Sequence, residues 1–238
     1  ARALADRVSR RREGASAAAG SPFATAWLEA DAAVSRAVDA RIEGLQELSE
    51  PGAWRALAAA LRDGDSLLAA SSMPVRDLEA FLRPGPEGVR FLSNRGANGI
   101  DGLVSTAAGV ALASGARTWT VLGDLALLHD IGGLAIAGRA HELRLIVLDN
   151  AGGGIFHFLP QAAQLDASEF EALLGTPSEL RPASALRTFG FEVAEPATPS
   201  ELDDALASDA RAVVVDVDRG RNRELHRELA DAAAAVLA

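Results

Sequence analysis

The spacing of hydrophobic positions changes several times along this chain, and each change predicts an element. Trp27, Ala30, Val34, Val38 and Ile42 recur at three- and four-residue steps, which predicts a helix over Phe23–Leu48 with one apolar face. Ser49-Glu50-Pro51-Gly52 interrupts that pattern, and a second helix is expected from Trp54 to about Leu61. Short apolar runs at Ser66–Ala70, Val89–Ser93, Trp119–Leu122, Arg144–Asp149, Phe191–Ala194 and Ala212–Val217 read as strands. Helical stretches at Leu103–Ala113, Ala183–Phe189, Pro199–Ala207 and Asn222–Leu237 alternate with them. Gln161–Leu174 reads as a partly polar helix or a mobile lid, and residues 1–20 as a solvated segment without a sustained apolar face. Strands that alternate with helices in this way predict an α/β fold: a doubly wound, mainly parallel six-stranded sheet.

Chemistry gathers where these strands end. The strand at Trp119–Leu122 runs into Gly123-Asp124, and the strand at Arg144–Asp149 runs into Asn150 and the glycines 152 to 154. One βαβ unit thus carries a carboxylate and a carboxamide at the carboxyl ends of its two strands, the edge where open parallel sheets bind ligands. Two oxygen ligands, a glycine carbonyl and a helix N-terminus near Leu125 suit a hard cation, such as magnesium, that carries a diphosphate. Ser71-Ser72-Met73-Pro74-Val75-Arg76-Asp77 lies where a strand becomes a helix, a place that suits either anion binding or simple capping. The loop Asn94-Arg95-Gly96-Ala97-Asn98-Gly99-Ile100-Asp101-Gly102 is dense in glycine, which favours close approach of the backbone to a ligand or another element. Arg95 and Ile100 in that loop are either ligand groups or a surface charge and a core residue.

Composition narrows the classes. A chain of 238 residues holds one large α/β domain, with room for a piece of another. A formal charge of −10 argues against a nucleic-acid or anionic-membrane partner. All 23 basic residues are arginine, the side chain best shaped for two-point recognition of carboxylates. The absence of cysteine removes disulfides, thiolate metal sites and cysteine nucleophiles. No apolar run is long enough to span a bilayer and no signal peptide is evident, so a cytoplasmic protein is expected; the start at Ala1 without methionine hints at a fragment. His141-Glu142 lacks the second histidine of a zinc helix, and His129 and His157 have no partner at ligand spacing, so both are expected on the surface or in loops. There is no Gly-x-Ser-x-Gly elbow and no Gly-x-Gly-x-x-Gly loop.

Gly123-Asp124-Leu125, a spacer and Asp149-Asn150 resemble the diphosphate-binding motif of the thiamine-diphosphate (ThDP) enzymes, Gly-Asp-Gly, spacer, Asn-Asn. Three strings in order, SSMPVRD, SNRGANGIDG and GDLALLHD…LDNAGGGIFHFLP, closely resemble one branch of that family. This branch is the 2-succinyl-5-enolpyruvyl-6-hydroxy-3-cyclohexene-1-carboxylate synthases of menaquinone biosynthesis, in which Gly-Asp-Leu replaces Gly-Asp-Gly. Ser71 departs from the pattern, which has Asn there. The resemblance covers about residues 27–220. It implies that residues 1–50 are the tail of a central domain with a linker helix, and that residues 51–238 are the ThDP- and magnesium-binding domain. It further implies that Asp124, Asn150 and the Gly152 carbonyl hold Mg²⁺, with Gly123, Leu125 and Gly153 beside the diphosphate and Ile100 under the bent cofactor. Ser72, Arg76 and Arg95 would hold substrate carboxylates, and Ile155, Phe156 and Leu159 would form an apolar wall. The implied substrates are 2-oxoglutarate and isochorismate. The implied partner is the pyrimidine-binding domain of a second subunit in a homo-oligomer, and it supplies the cofactor-activating glutamate, so this chain alone is expected to be inactive. Two other readings stay open: a stand-alone ThDP- or diphosphate-binding module, and another ThDP-dependent 2-oxoacid decarboxylase.

Overall fold

A serine followed closely by a proline starts each of the first two helices. The computed structural model describes residues 21–94 and 99–237, and places α1 over Pro22–Glu43 and α2 over Glu50–Ala60. Ser21 Oγ accepts from the Ala24 amide and Ser49 Oγ from the Gly52 amide, each satisfying an N–H that the first helical turn leaves unpaired. Pro22 and Pro51 occupy first-turn positions, where no N–H is required. Ser49-Glu50-Pro51-Gly52 therefore opens α2 instead of merely interrupting a longer helix, and α1 ends at Glu43 rather than Leu48, with Gly44 as its C-cap. The apolar stripe expected along α1 is covered only at its end: Val38 and Ile42 are buried, whereas Trp27 is 65 % exposed.

The six strands are β1 (Ser66–Ala69), β2 (Arg90–Leu92), β3 (Thr118–Gly123), β4 (Leu143–Asp149), β5 (Val193–Ala194) and β6 (Ala212–Asp216). They lie in the order β2-β1-β3-β4-β6-β5 and every pairing is parallel. The expected doubly wound α/β sheet is thus present, and wholly parallel. Leu67, Leu68, Val121, Leu122 and Leu145–Leu148 are buried, as the central strands of a sheet covered on both faces require. The helices that cover them include α3 (Met73–Phe81), α4 (Leu103–Ser114), α5 (Asp124–His129) and α6 (Leu134–Ala137). Strand order reverses at β1: the chain passes first to β2 on one side, then to β3 on the other. The carboxyl ends of β1 and β3 flank that switch point, where such sheets open a crevice.

Gln161–Leu174 is neither one helix nor a free lid. It forms α7 (Gln161–Gln164), α8 (Ala167–Phe170) and a π-helical turn over Glu171–Gly175. Asp166 makes the break: its carboxylate accepts from the Ser168 and Glu169 amides and so restarts the helix. The remaining helices are α9 (Pro182–Thr188), α10 (Pro199–Ala207) and α11 (Arg219–Ala235). None of the helices among the described residues is long and apolar enough to cross a membrane.

The described residues fall into two compact units, 21–44 with 225–237, and 45–224. This division differs from a boundary at residue 50 over residues 45–50 and 225–238. Within the first unit Arg41 pairs with Glu228. The second contains the whole sheet and the main core, built on Leu103, Leu122, Leu127, Leu134, Leu143 and Val147.

At the amino edge of the sheet, Asp65 gathers three donors. Its buried carboxylate accepts from Arg117 Nη2 at 2.6 Å, Trp119 Nε1 at 3.1 Å and the Arg62 amide at 2.9 Å. Removing one partner of a buried ion pair leaves the other charge uncompensated. Asp65→Ala should lower stability by about 3 kcal/mol in urea unfolding; an unchanged midpoint would show that water replaces the carboxylate without cost.

Candidate functional site

A cavity of about 450 Å³ opens at the switch point. Its floor comes from the ends of β3 and β4, one wall from the start of α3, and another from the glycine run after β4. It brings together eleven of the residues singled out in the sequence: Ser72, Arg76, Ile100, Gly123, Asp124, Leu125, Asn150, Gly152, Gly153, Ile155 and Phe156. Leu159 does not join them; it lies beyond the turn Gly154–Phe158 and is 43 % exposed, so of the three residues expected to form an apolar wall, Ile155 and Phe156 line the cavity. Arg95 lies outside the described residues.

Asp124 is the first residue of α5 and is almost fully buried. Burial raises its pKa to about 6, and the nearby Asp149 carboxylate adds to the rise. The backbone N–H groups of Leu125, Gly152 and Asp124 itself oppose it. Asn150 lines the same cavity as Asp124, with its amide fixed on one side: Nδ2 donates to Glu50 Oε1 at 2.9 Å. Its Oδ1 is buried and has no hydrogen-bond partner. A buried acceptor in that state is costly unless something else satisfies it.

The glycine run is shaped by close approach. Gly152 has φ +138°, and a Cβ there would collide with the Gly175 carbonyl; a Cβ on Gly153 would collide with that of Leu174. The Gly153 amide donates to Gly175 O at 2.7 Å, which ties the run to the π-helical turn. The Gly152 carbonyl accepts from the Gly154 amide at 2.9 Å and keeps a second lone pair. Asp124, Asn150 Oδ1 and this carbonyl form a mixed oxygen set of the kind a hard cation takes. Among the described residues no group of three or more His, Asp or Glu side chains offers an alternative metal site.

At the mouth, Ser72 is the N-cap of α3 but its hydroxyl makes no capping bond, and its φ is +78°. Of the two roles left open for this segment, side-chain capping is absent. The Ser72 carbonyl accepts from Arg76 Nη1 at 2.6 Å, which holds the exposed guanidinium at the rim. Ser71 instead donates its hydroxyl to the Asn94 carbonyl at 3.2 Å.

Two placements were not foreseen. Glu50 lines the cavity from the first turn of α2, although its tetrapeptide reads as a break. Asp149, which stands where the ThDP motif has its first Asn, has Arg181 3.9 Å away, and it is absent from the cavity lining. The two histidines lie on the surface and in a loop, as expected: His129 pairs with Asp101 at 3.0 Å, and His157 is half-buried in the turn Gly154–Phe158 with its ring 4.6 Å from that of Phe170. Burial pushes the His157 pKa down.

A wholly parallel sheet with its cavity at the switch point defines a ligand-binding α/β domain. Residues 81–217 match the thiamine pyrophosphate enzyme C-terminal TPP-binding domain, and the chain belongs to that family. It is 41 % identical over 237 residues to the 2-succinyl-5-enolpyruvyl-6-hydroxy-3-cyclohexene-1-carboxylate synthase of Rubrobacter xylanophilus, covering 98 % of this chain and 40 % of that protein. The synthase of the same name from Myxococcus xanthus is 42 % identical over 213 residues, covering 87 % and 36 %. The chain thus spans about two fifths of the length of these curated relatives. The ThDP-dependent 4-hydroxybenzoylformate decarboxylase of Rhodococcus jostii RHA1 superposes with a TM-score of 0.58 at 17 % identity, over 73 % of this chain and 33 % of that one. At that identity the likeness is one of fold.

The state of Asp124 sets a pH dependence. Its folded pKa, about 6, lies above the ordinary 3.8, so between these values the native chain binds more protons than the unfolded one. Stability therefore falls as pH rises through this window, by about 3 kcal/mol for a shift of roughly two units, and stays low above it. Without added metal, Asp124→Asn should be the more stable protein at pH 7.5 by that order, with the advantage vanishing near pH 4. Urea unfolding at both pH values checks this, and equal stabilities at pH 7.5 would contradict it.

Proposed function

We propose that this chain binds ThDP with Mg²⁺ in the cavity, as the diphosphate-binding part of a 2-succinyl-5-enolpyruvyl-6-hydroxy-3-cyclohexene-1-carboxylate synthase. The observation that carries the reading is Asn150 Oδ1, buried without a partner in the cavity that the buried Asp124 also lines. A cation satisfies both, and a carboxylate offset by a divalent ion no longer bears the cost of burial. Asp124, Asn150 and the Gly152 carbonyl would hold Mg²⁺, and Gly123, Leu125 and Gly153 would border the diphosphate.

When bound, ThDP supplies the electron sink for decarboxylating a 2-oxoacid. The remaining work falls to side chains. Ile100, partly buried and packed against the core, gives the cofactor an apolar support. Ile155 and Phe156 keep water from the reacting face. Arg76 at the rim, with the Ser72 hydroxyl, would hold a substrate carboxylate by charge-assisted hydrogen bonds. Arg95 joins them in this proposal on the resemblance of its loop. In this reading the substrates are 2-oxoglutarate and isochorismate, the site works in the cytoplasm, and it is completed by the pyrimidine-binding domain of a second subunit in a homo-oligomer.

Calorimetric titration of ThDP in the presence of Mg²⁺ tests the core of the reading. Asp124→Ala should abolish magnesium-dependent binding while the circular dichroism spectrum is retained; wild-type affinity in the variant would overturn the assignment. Arg76→Lys keeps the charge but loses the planar fork. In an active assembly containing this chain it should lower kcat/KM by a factor equivalent to about 1–3 kcal/mol, with ThDP affinity unchanged. Unaltered kinetics toward both substrates would return Arg76 to a surface role.

A further inference from the structure

We infer that Glu50 is a positioning residue: its buried carboxylate orients the Asn150 amide so that the carbonyl oxygen, and not the NH₂ group, faces the cation. The inference rests on the metal-site reading above and assigns a role to a residue outside the expected ligand set. The two ends of a carboxamide are nearly equal in size, so shape alone does not choose between them. Chemistry does. An ionised carboxylate only accepts hydrogen bonds, and Glu50 Oε1 lies 2.9 Å from Asn150 Nδ2. The reversed amide would set two oxygens against each other and turn its NH₂ toward a positive ion, so both contacts would become repulsive. In the observed orientation Oδ1 is left buried and unpartnered on the cavity side.

Glu50 is held firmly enough to impose this choice. It is 1 % exposed, in the first turn of an 11-residue helix whose N-terminus is capped by Ser49 and where a negative charge is favoured. Trp54 and Leu57 on the same helix are fully buried, which anchors it. Gly154 also packs against the amide: an added Cβ there would come within 2.5 Å of Asn150 Nδ2. The amide thus contacts both a fixed acceptor and a backbone that leaves no room for a side chain. Partners that orient metal ligands in this way matter nearly as much as the ligands: their loss typically costs about 10- to 100-fold in metal affinity.

The test is ThDP titration with and without Mg²⁺, together with thermal melting, on the 238-residue chain and four variants: Glu50→Leu, Glu50→Gln, Asn150→Asp and the double variant Glu50→Leu/Asn150→Asp. Glu50→Leu should weaken magnesium-dependent binding about 10-fold or more. Glu50→Gln should stay within a few-fold of wild type, because its amide oxygen still accepts from Asn150 Nδ2. Asn150→Asp presents an oxygen in either orientation but is repelled by Glu50, so the double variant should bind more tightly than Asn150→Asp alone. Unchanged affinity in Glu50→Leu overturns the inference and leaves the metal-site reading standing. A Gln variant as weak as the Leu variant also overturns it, since a role in orientation predicts rescue. If Glu50→Leu melts too low to titrate, the Gln and Asn150→Asp variants decide: wild-type-like binding in Glu50→Gln together with unweakened binding in Asn150→Asp would overturn it. No magnesium-dependent binding by the wild-type chain overturns the functional reading, and this inference with it.

Discussion

The parallel register of β3 and β4 is the constraint on which the site depends. Gly123 pairs with Leu148, so Asp124 and Asp149 leave the sheet at the same level and Asn150 follows one residue later. Successive residues at a strand end point to opposite sides. Asp149 accordingly lies near Arg181, while Asn150 reaches Glu50 and the cavity. A slip of one residue would put Asp149 in the place of Asn150 on the cavity side and turn the carboxamide away. The buried runs of Leu145–Leu148 and Val121–Leu122 oppose such a slip, because the core on each face is matched to this register. Packing of ordinary aliphatic side chains thereby fixes the spacing of two polar groups that make no bond to each other.

Backbone strain gathers around the same cavity. The non-glycine residues with positive φ among those described are Ser72, Ala151 and Thr176. The first lines the cavity, the second lies between Asn150 and Gly152, and the third follows the turn whose Gly175 carbonyl receives the Gly153 amide. Each such conformation costs on the order of 1–3 kcal/mol and persists only where its surroundings hold it. Here the holding groups are visible. The Ala151 amide donates to Asp149 Oδ1 at 3.2 Å, and the Thr176 amide donates to Glu171 O at 2.7 Å. Arg219 adds an ion pair with Glu171 at 2.9 Å, which ties the π-helical turn to the start of α11.

Period and punctuation made much of this legible. Alternating apolar runs and helical stretches located all six strands, and the residues at two strand ends, Asp124 and Asn150, identified the floor of the cavity. Local chemistry was harder to read where two causes share one signature. Ser49-Glu50-Pro51-Gly52 carries the residues of a break and those of a helix start; only the Ser49 bond to Gly52 separates them. Glu50 was invisible for a different reason. Its partner Asn150 lies a hundred positions away in the chain, and no periodicity connects a first-turn glutamate to an asparagine at that distance. The π-helical turn at Glu171–Gly175 was hidden likewise, since its role depends on glycines 152 and 153 having no side chains.

Charge explains why a diphosphate would not be expected to enter this cavity alone. Glu50 and Asp124 are both buried along its lining, whereas the one arginine among the described lining residues, Arg76, is exposed at the rim. An anion approaching the floor would meet carboxylates with few counter-charges, in surroundings where burial strengthens every interaction between charges. In the proposed function a divalent ion would reverse the balance: Asp124 and the unpartnered oxygen of Asn150 would hold it, and its charge would offset that of a diphosphate. In the proposed function the metal is therefore not an accessory to cofactor binding. It would convert a cation site into an anion site, and the carboxylates of Glu50 and Asp124 along the lining are what would favour entry of the metal before the anion.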